Sequence, residues 1–150
     1  MSTFADSSAL VKLYSDEPGH EHVRGLMSIA VAQLARVVVP AALWRKQRLG
    51  GLPTDDARLL TAEFEADYFG ADSEPPRFAT VATTAGILDE AARLCASNGL
   101  RACDAVQLSS ALAARHADED CTAFAAFDRS LRRAAAAEGF DLIPASLPES

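Results

Sequence analysis

Two hydrophobic periods alternate along this chain. Ser2-Thr3-Phe4-Ala5 is a short β-compatible run that stops at Asp6-Ser7-Ser8, and Ala9-Leu10-Val11-Lys12-Leu13-Tyr14 continues with helical spacing. The junction predicts a strand feeding a helix, with an acid at the seam. Pro18-Gly19 then punctuates the chain, followed by a short predicted helix over 20–27 and a β-rich run over 28–32. Residues 33–49 read as helix despite Val37-Val38-Val39, with a kink or boundary expected at Pro40. Gly50-Gly51 closes that segment, and Thr54, Asp55 and Asp56 open another helix reaching Tyr68, with Leu59, Leu60, Phe64 and Tyr68 roughly on one face.

The second half repeats the alternation. A polar loop over 70–76 leads to a strand over 78–82, and Thr83 or Thr84 is placed to cap a helix over 85–97 that stops at Asn98-Gly99. A helix from Asp104 to His116, a strand over 121–127, a helix over 128–137 and a last strand over 140–143 complete the reading. Strands separated by helices predict a mainly parallel sheet covered on both faces. The expected fold class is therefore α/β, a three-layer α/β/α sandwich, in a single domain over 1–150.

Composition narrows the class. A chain of 150 residues with 49% apolar and 23% charged positions is an ordinary globular domain and excludes disorder and disulfide-dense miniatures. The net charge of −7 argues against a uniformly basic nucleic-acid coat, though not against a local basic face. Gln33 and Arg36 break the most apolar region, so no membrane span is expected, and Asp6 precedes any export-type apolar stretch. Cys95, Cys103 and Cys121 form no C-x-x-C pair and read as buried free thiols in a reducing compartment, which makes a cytoplasmic location the expectation.

The candidate chemistry is acidic. In a parallel sheet the ligand site lies outside the carboxyl ends of the strands. Asp6 follows the first strand, Asp128 follows the strand over 121–127, and Asp104 begins a helix that could face the same edge. Each alone is a good helix N-cap. Three together would repel unless a cation neutralised them, and oxygen-only ligands select Mg²⁺ or Mn²⁺ over Zn²⁺.

These residues sit in three motifs spread in order along the chain: Ala5-Asp6-Ser7-Ser8-Ala9-Leu10-Val11-Lys12-Leu13-Tyr14 with Asp16-Glu17-Pro18-Gly19, then Gly99-Leu100-Arg101-Ala102-Cys103-Asp104-Ala105-Val106-Gln107-Leu108, then Phe127-Asp128-Arg129-Ser130-Leu131-Arg132-Arg133. With them the chain resembles PIN-domain ribonucleases, specifically the VapC-type toxins of bacterial toxin-antitoxin pairs. The resemblance implies a Mg²⁺- or Mn²⁺-dependent endoribonuclease leaving a 5′-phosphate and a 3′-hydroxyl. It assigns Asp6 and Asp104 as central ligands, Asp128 as an additional acid and Ser8 as support for the first Asp. It also implies a homodimer, an RNA substrate and a small cognate VapB-like antitoxin that reaches the acids with a basic side chain.

One position departs from the pattern. The family's Glu in the helix after the second strand aligns with Val38, and no acid lies between Glu21 and Asp55 to replace it. Three accounts stay open: a natural pseudo-nuclease, a thinner acid set, or a substitution selected because an active ribonuclease poisons its host. The alternative function is a catalytically inactive PIN-fold module that binds RNA or protein. A receiver-like phosphoacceptor domain needs paired acids at the first strand, and a dehalogenase-like phosphatase needs D-x-D where this chain has Asp6-Ser7-Ser8; both fit less well. Arg129, Arg132 and Arg133 beside Asp128 are candidate RNA-backbone contacts, with a solvated helix face as the plain alternative. Arg45, Lys46 and Arg48 beside Trp44 form a second basic segment, for which a solvated face is the stronger reading. His20 and His22 read as surface residues, and Cys103 as a small buried hydrophobe.

Overall fold

Continuous apolar runs such as Ile29–Ala32 suit strands buried on both faces, and the computed structural model shows them in the middle of a parallel sheet. The structure describes residues 2–147; residue 1 and residues 148–150 of the expected domain lie outside it. The elements in chain order are β1 (Ser2–Ala5), α1 (Ser7–Val11), α2 (His20–Arg24), β2 (Ile29–Ala32), α3 (Ala35–Arg48), α4 (Thr54–Phe69), β3 (Phe78–Val81), α5 (Ala85–Asn98), α6 (Ala102–Ala117), β4 (Cys121–Ala125), α7 (Arg129–Ala137) and β5 (Asp141–Ile143). All pairings in the five-stranded sheet are parallel, in the order β3-β2-β1-β4-β5.

Two cores cover the two faces. Phe4, Ala30, Ala32 and Phe124 pack against α5, α6 and α7, while Ala5, Ile29, Val31 and Ala125 pack against α1, α3 and α4. Adjacent strand residues thus serve opposite cores, as the two-residue strand period requires. The α/β/α class expected from the sequence is the fold observed, with a sheet that is wholly rather than mainly parallel.

Three local expectations are corrected. Pro40 does not bound α3, which runs on from Ala35 to Arg48. The bond lost at Pro40 is offset by Ala35, Val39 and Leu43, all fully buried in the core beneath the helix. The helix expected to begin at Asp104 starts two residues earlier, with Arg101 at its N-cap, so Asp104 lies inside the first turn and does not cap it. Cys103 is exposed rather than buried, and Cys95 is half-buried against the edge of the core; Cys121 alone is buried. No helix among the described residues is long and apolar enough to cross a membrane.

The chain builds outward from β1 through β2 to β3, then returns to place β4 on the other side of β1. That reversal puts the carboxyl ends of β1 and β4 side by side, the position where parallel α/β sheets open a crevice.

Candidate active site

Asp6 directly follows β1 and Asp128 follows β4 by three residues, so the strand pairing alone brings them to one edge. Both are also helix caps. The Asp6 Oδ1 accepts from the Ala9 amide at 2.8 Å and the Asp128 Oδ2 from the Leu131 amide at 2.9 Å. The Ser8 hydroxyl lies 2.8 and 2.9 Å from the two Asp6 carboxylate oxygens. Asp104 comes from the first turn of α6, where a negative charge is favoured by the helix dipole.

Burial and neighbouring acids shift two of the three carboxylates. Burial, with Asp6 only 4% exposed, is the main cause that pushes its carboxyl up to about 6; the charges of Asp104 and Asp128 add to it, against the opposing pull of the Ala9 amide and Ser8 hydroxyl. Asp104 is also raised, first by burial and then by Asp128, with Arg101 opposing. The Arg101 guanidinium sits between two of the acids, with Nη2 3.5 Å from Asp104 Oδ2 and 3.7 Å from Asp128 Oδ1.

The model of the PIN domain family matches residues 3–137, a span that contains Asp6, Asp104 and Asp128. The chain belongs to the PIN domain family. No curated protein matched it in a second comparison. PIN domains are generally nucleases, and they generally use divalent metal ions.

The donors at this PIN-domain edge are of the right kind for a hard cation. All three are carboxylate oxygens, and a guanidinium already stands as a positive charge between two of them. Among the described residues no three acidic, histidine or cysteine side chains converge closely enough to hold one ion by themselves. A hard cation held here would take one or two of these carboxylates, with water completing its shell. Val38 is half-buried on α3, one turn before Ala42, which shares a groove with Ser8. The helix carries no acid on that face.

Of the three arginines proposed for the RNA backbone, Arg129 and Arg133 are exposed on α7. Arg132 is corrected: it is 6% exposed, and its guanidinium donates to the carbonyls of Ala126 at 2.9 Å, Pro144 at 2.7 Å and Ala145 at 3.4 Å. It ties α7 to the chain on either side of β5 and is buried by that role, away from any phosphate in solvent. An i, i+1 pair of arginines looks alike in sequence, and only the direction of the helix face separates them.

Other residues at this edge escaped the reading of the sequence as functional groups. Gln107, one turn beyond Asp104, donates to the Ser7 hydroxyl at 2.8 Å, a buried link between α6 and α1 across 100 residues of chain. Its Oε1 is buried without a hydrogen-bond partner among the described residues. The Asp16-Glu17-Pro18-Gly19 segment also has a structural reason to accompany the acids. Gly19 has φ +92°, and a Cβ there would lie 2.5 Å from the Phe127 ring, next to Asp128. Lys12 Nζ stacks over that same ring at 4.4 Å and donates to the Pro18 carbonyl at 2.9 Å. Glu17 pairs with Lys46 at 2.9 Å and Lys12 at 3.5 Å, so Lys46 is committed to an ion pair in the fold.

Proposed function

We propose that this PIN-domain protein is a Mg²⁺- or Mn²⁺-dependent endoribonuclease of the VapC toxin type, impaired at Val38. It would act in the cytoplasm as a homodimer on an RNA substrate and be restrained by a small VapB-like antitoxin. The observation that carries the reading is the gathering of Asp6, Asp104 and Asp128 around the carboxyl ends of β1 and β4, where burial and the neighbouring acids raise the proton affinity of Asp6 and Asp104. A divalent ion bound there would supply positive charge to the phosphate and acidify an attacking water.

The chain's own residues prepare that edge. Ser8 and the Ala9 amide hold the Asp6 carboxylate by hydrogen bonds and oppose the effect of burial on it. The Gln107–Ser7 bond holds the Asp104-bearing helix against the Asp6 loop. Arg101 neutralises part of the charge on Asp104 and Asp128, and its exposed position lets it swing toward a phosphate when the acids take up another cation. An antitoxin arginine would meet the same pair of carboxylates.

Val38 keeps the second reading in play, a PIN-fold module that binds RNA or protein without cutting. Restoring the acid separates the two. Val38→Glu is expected to tighten Mn²⁺ binding by about 10- to 100-fold in calorimetry and to produce EDTA-sensitive cleavage of single-stranded RNA. A variant that binds Mn²⁺ and cleaves no better than the parent rejects the impaired-nuclease account. The toxin role is tested by inducing Val38→Glu in cells: growth arrest relieved by a small co-expressed partner supports it, and harmless expression counts against it.

A further inference from the structure

Next to the acids, a shallow groove of about 300 Å³ runs between α1 and α3. It begins at Ser8, whose hydroxyl touches the Asp6 carboxylate, and passes over Val11 and Ala42 to Leu49 and Arg45. The size suits a single nucleotide unit and is too small for a duplex. Its floor is aliphatic.

Charge distinguishes this groove from the rest of a chain that carries −7. Among the described residues Glu17 is the one acid lining it, and Lys46 and Lys12 both pair with that carboxylate. Arg45 is exposed at the rim and makes no ion pair among the described residues. The local balance is therefore positive, with one uncommitted guanidinium at the end away from Asp6. A phosphodiester strand has the complementary pattern, an anionic link at each end of a partly apolar base and sugar.

We infer that this groove holds the nucleotide adjoining the scissile phosphate, with the base and sugar over Val11 and Ala42 and the next phosphate at Arg45. The inference rests on the ribonuclease reading and adds a direction to it: the strand leaves the acids along α3, not along α7. Among the described residues no aromatic ring lines the groove, so contact with the base face is apolar and carries little sequence preference.

Fluorescence anisotropy with a labelled single-stranded oligoribonucleotide of mixed sequence, in EDTA and across a salt series, tests this without cleavage. Arg45→Ala is expected to weaken binding several-fold and to lower the slope of log K against log salt by about 0.7, the value for one phosphate on a single strand. Leu49→Ser is expected to weaken binding with the slope unchanged. Arg93→Ala, which removes the same charge from an exposed site on α5, is expected to do neither. Arg45→Ala matching the wild type in affinity and slope, or Arg133→Ala taking over its effect, overturns the groove and leaves the nuclease reading standing. A wild-type chain that binds no RNA at low salt overturns both.

Discussion

The two walls that flank Asp6 are built from opposite materials. On one side, α6 and α7 bring Asp104 and Asp128 together with Arg101 between them. On the other, α3 presents Val38 and Ala42, with charge returning only at Arg45. Both walls descend from the same parallel topology, and both helices point toward the same sheet edge. Backbone architecture therefore places a wall at the site but does not decide its chemistry; one side chain in each turn does. The acid wall carries charge that the fold only partly neutralises, and the apolar wall carries none.

The acid wall should cost the metal-free protein stability as its carboxylates ionise. Asp6 has a folded-state pKa of about 6, above its ordinary value of 3.8. Its contribution to stability is therefore full below about pH 4 and is lost as pH rises through about 6, a change of up to about 3 kcal/mol. Asp6→Asn, which can still cap α1, should remove this dependence in denaturant titrations run with EDTA at several pH values. A constant stability difference between the two proteins from pH 4 to 7 would mean that Asp6 is not burdened as described.

The acid wall should also be held more firmly than its exposed arginines suggest. Arg132→Met is expected to lower stability by about 2 kcal/mol, since it strips donors from buried carbonyls. Its neighbour Arg133→Met should stay within about 0.5 kcal/mol of the parent. Equal thermal midpoints for the two variants would erase the distinction between a structural and a solvent-facing arginine on α7.

The smallest effect concerns the cation within the acid wall. Arg101→Gln removes an exposed, salt-screened contact, so Mn²⁺ affinity measured at neutral pH and low salt should rise only about two- to fivefold, a change of under about 1 kcal/mol. A decrease instead would show that Arg101 helps to hold the site open for the ion. The same measurement on Val38→Glu compares the walls directly, because that substitution adds charge where Arg101→Gln unmasks it.

Much of this arrangement was legible in the chain. The strand-to-helix seam at Asp6, the glycine stop at Gly99 and the cap at Thr84 are local chemistry, set by residues within a turn of one another. Pro40 does not end its helix, because the cost of one lost helix bond is local while the burial that offsets it comes from the core beneath. Asp104 was found by its motif but given the wrong cap role, since an unassisted helix start at Arg101 leaves no mark in the sequence. Cys103 was misjudged because its residue type favours burial, whereas its place on α6 turns it outward.

By itself the sequence determined the alternation of strands and helices, the three acids at strand and helix ends, and the vacancy at Val38, because each is written in hydrophobic period or residue type at a single position. Tertiary structure alone decided which of these meet. Pairing β4 beside β1 joins Asp128 to Asp6 across more than half of the chain, a buried amide ties Ser7 to Gln107, and helix rotation sends Arg132 inward while Arg133 stays in solvent. Contacts between residues so far apart depend on how whole elements pack. No local spacing encodes that.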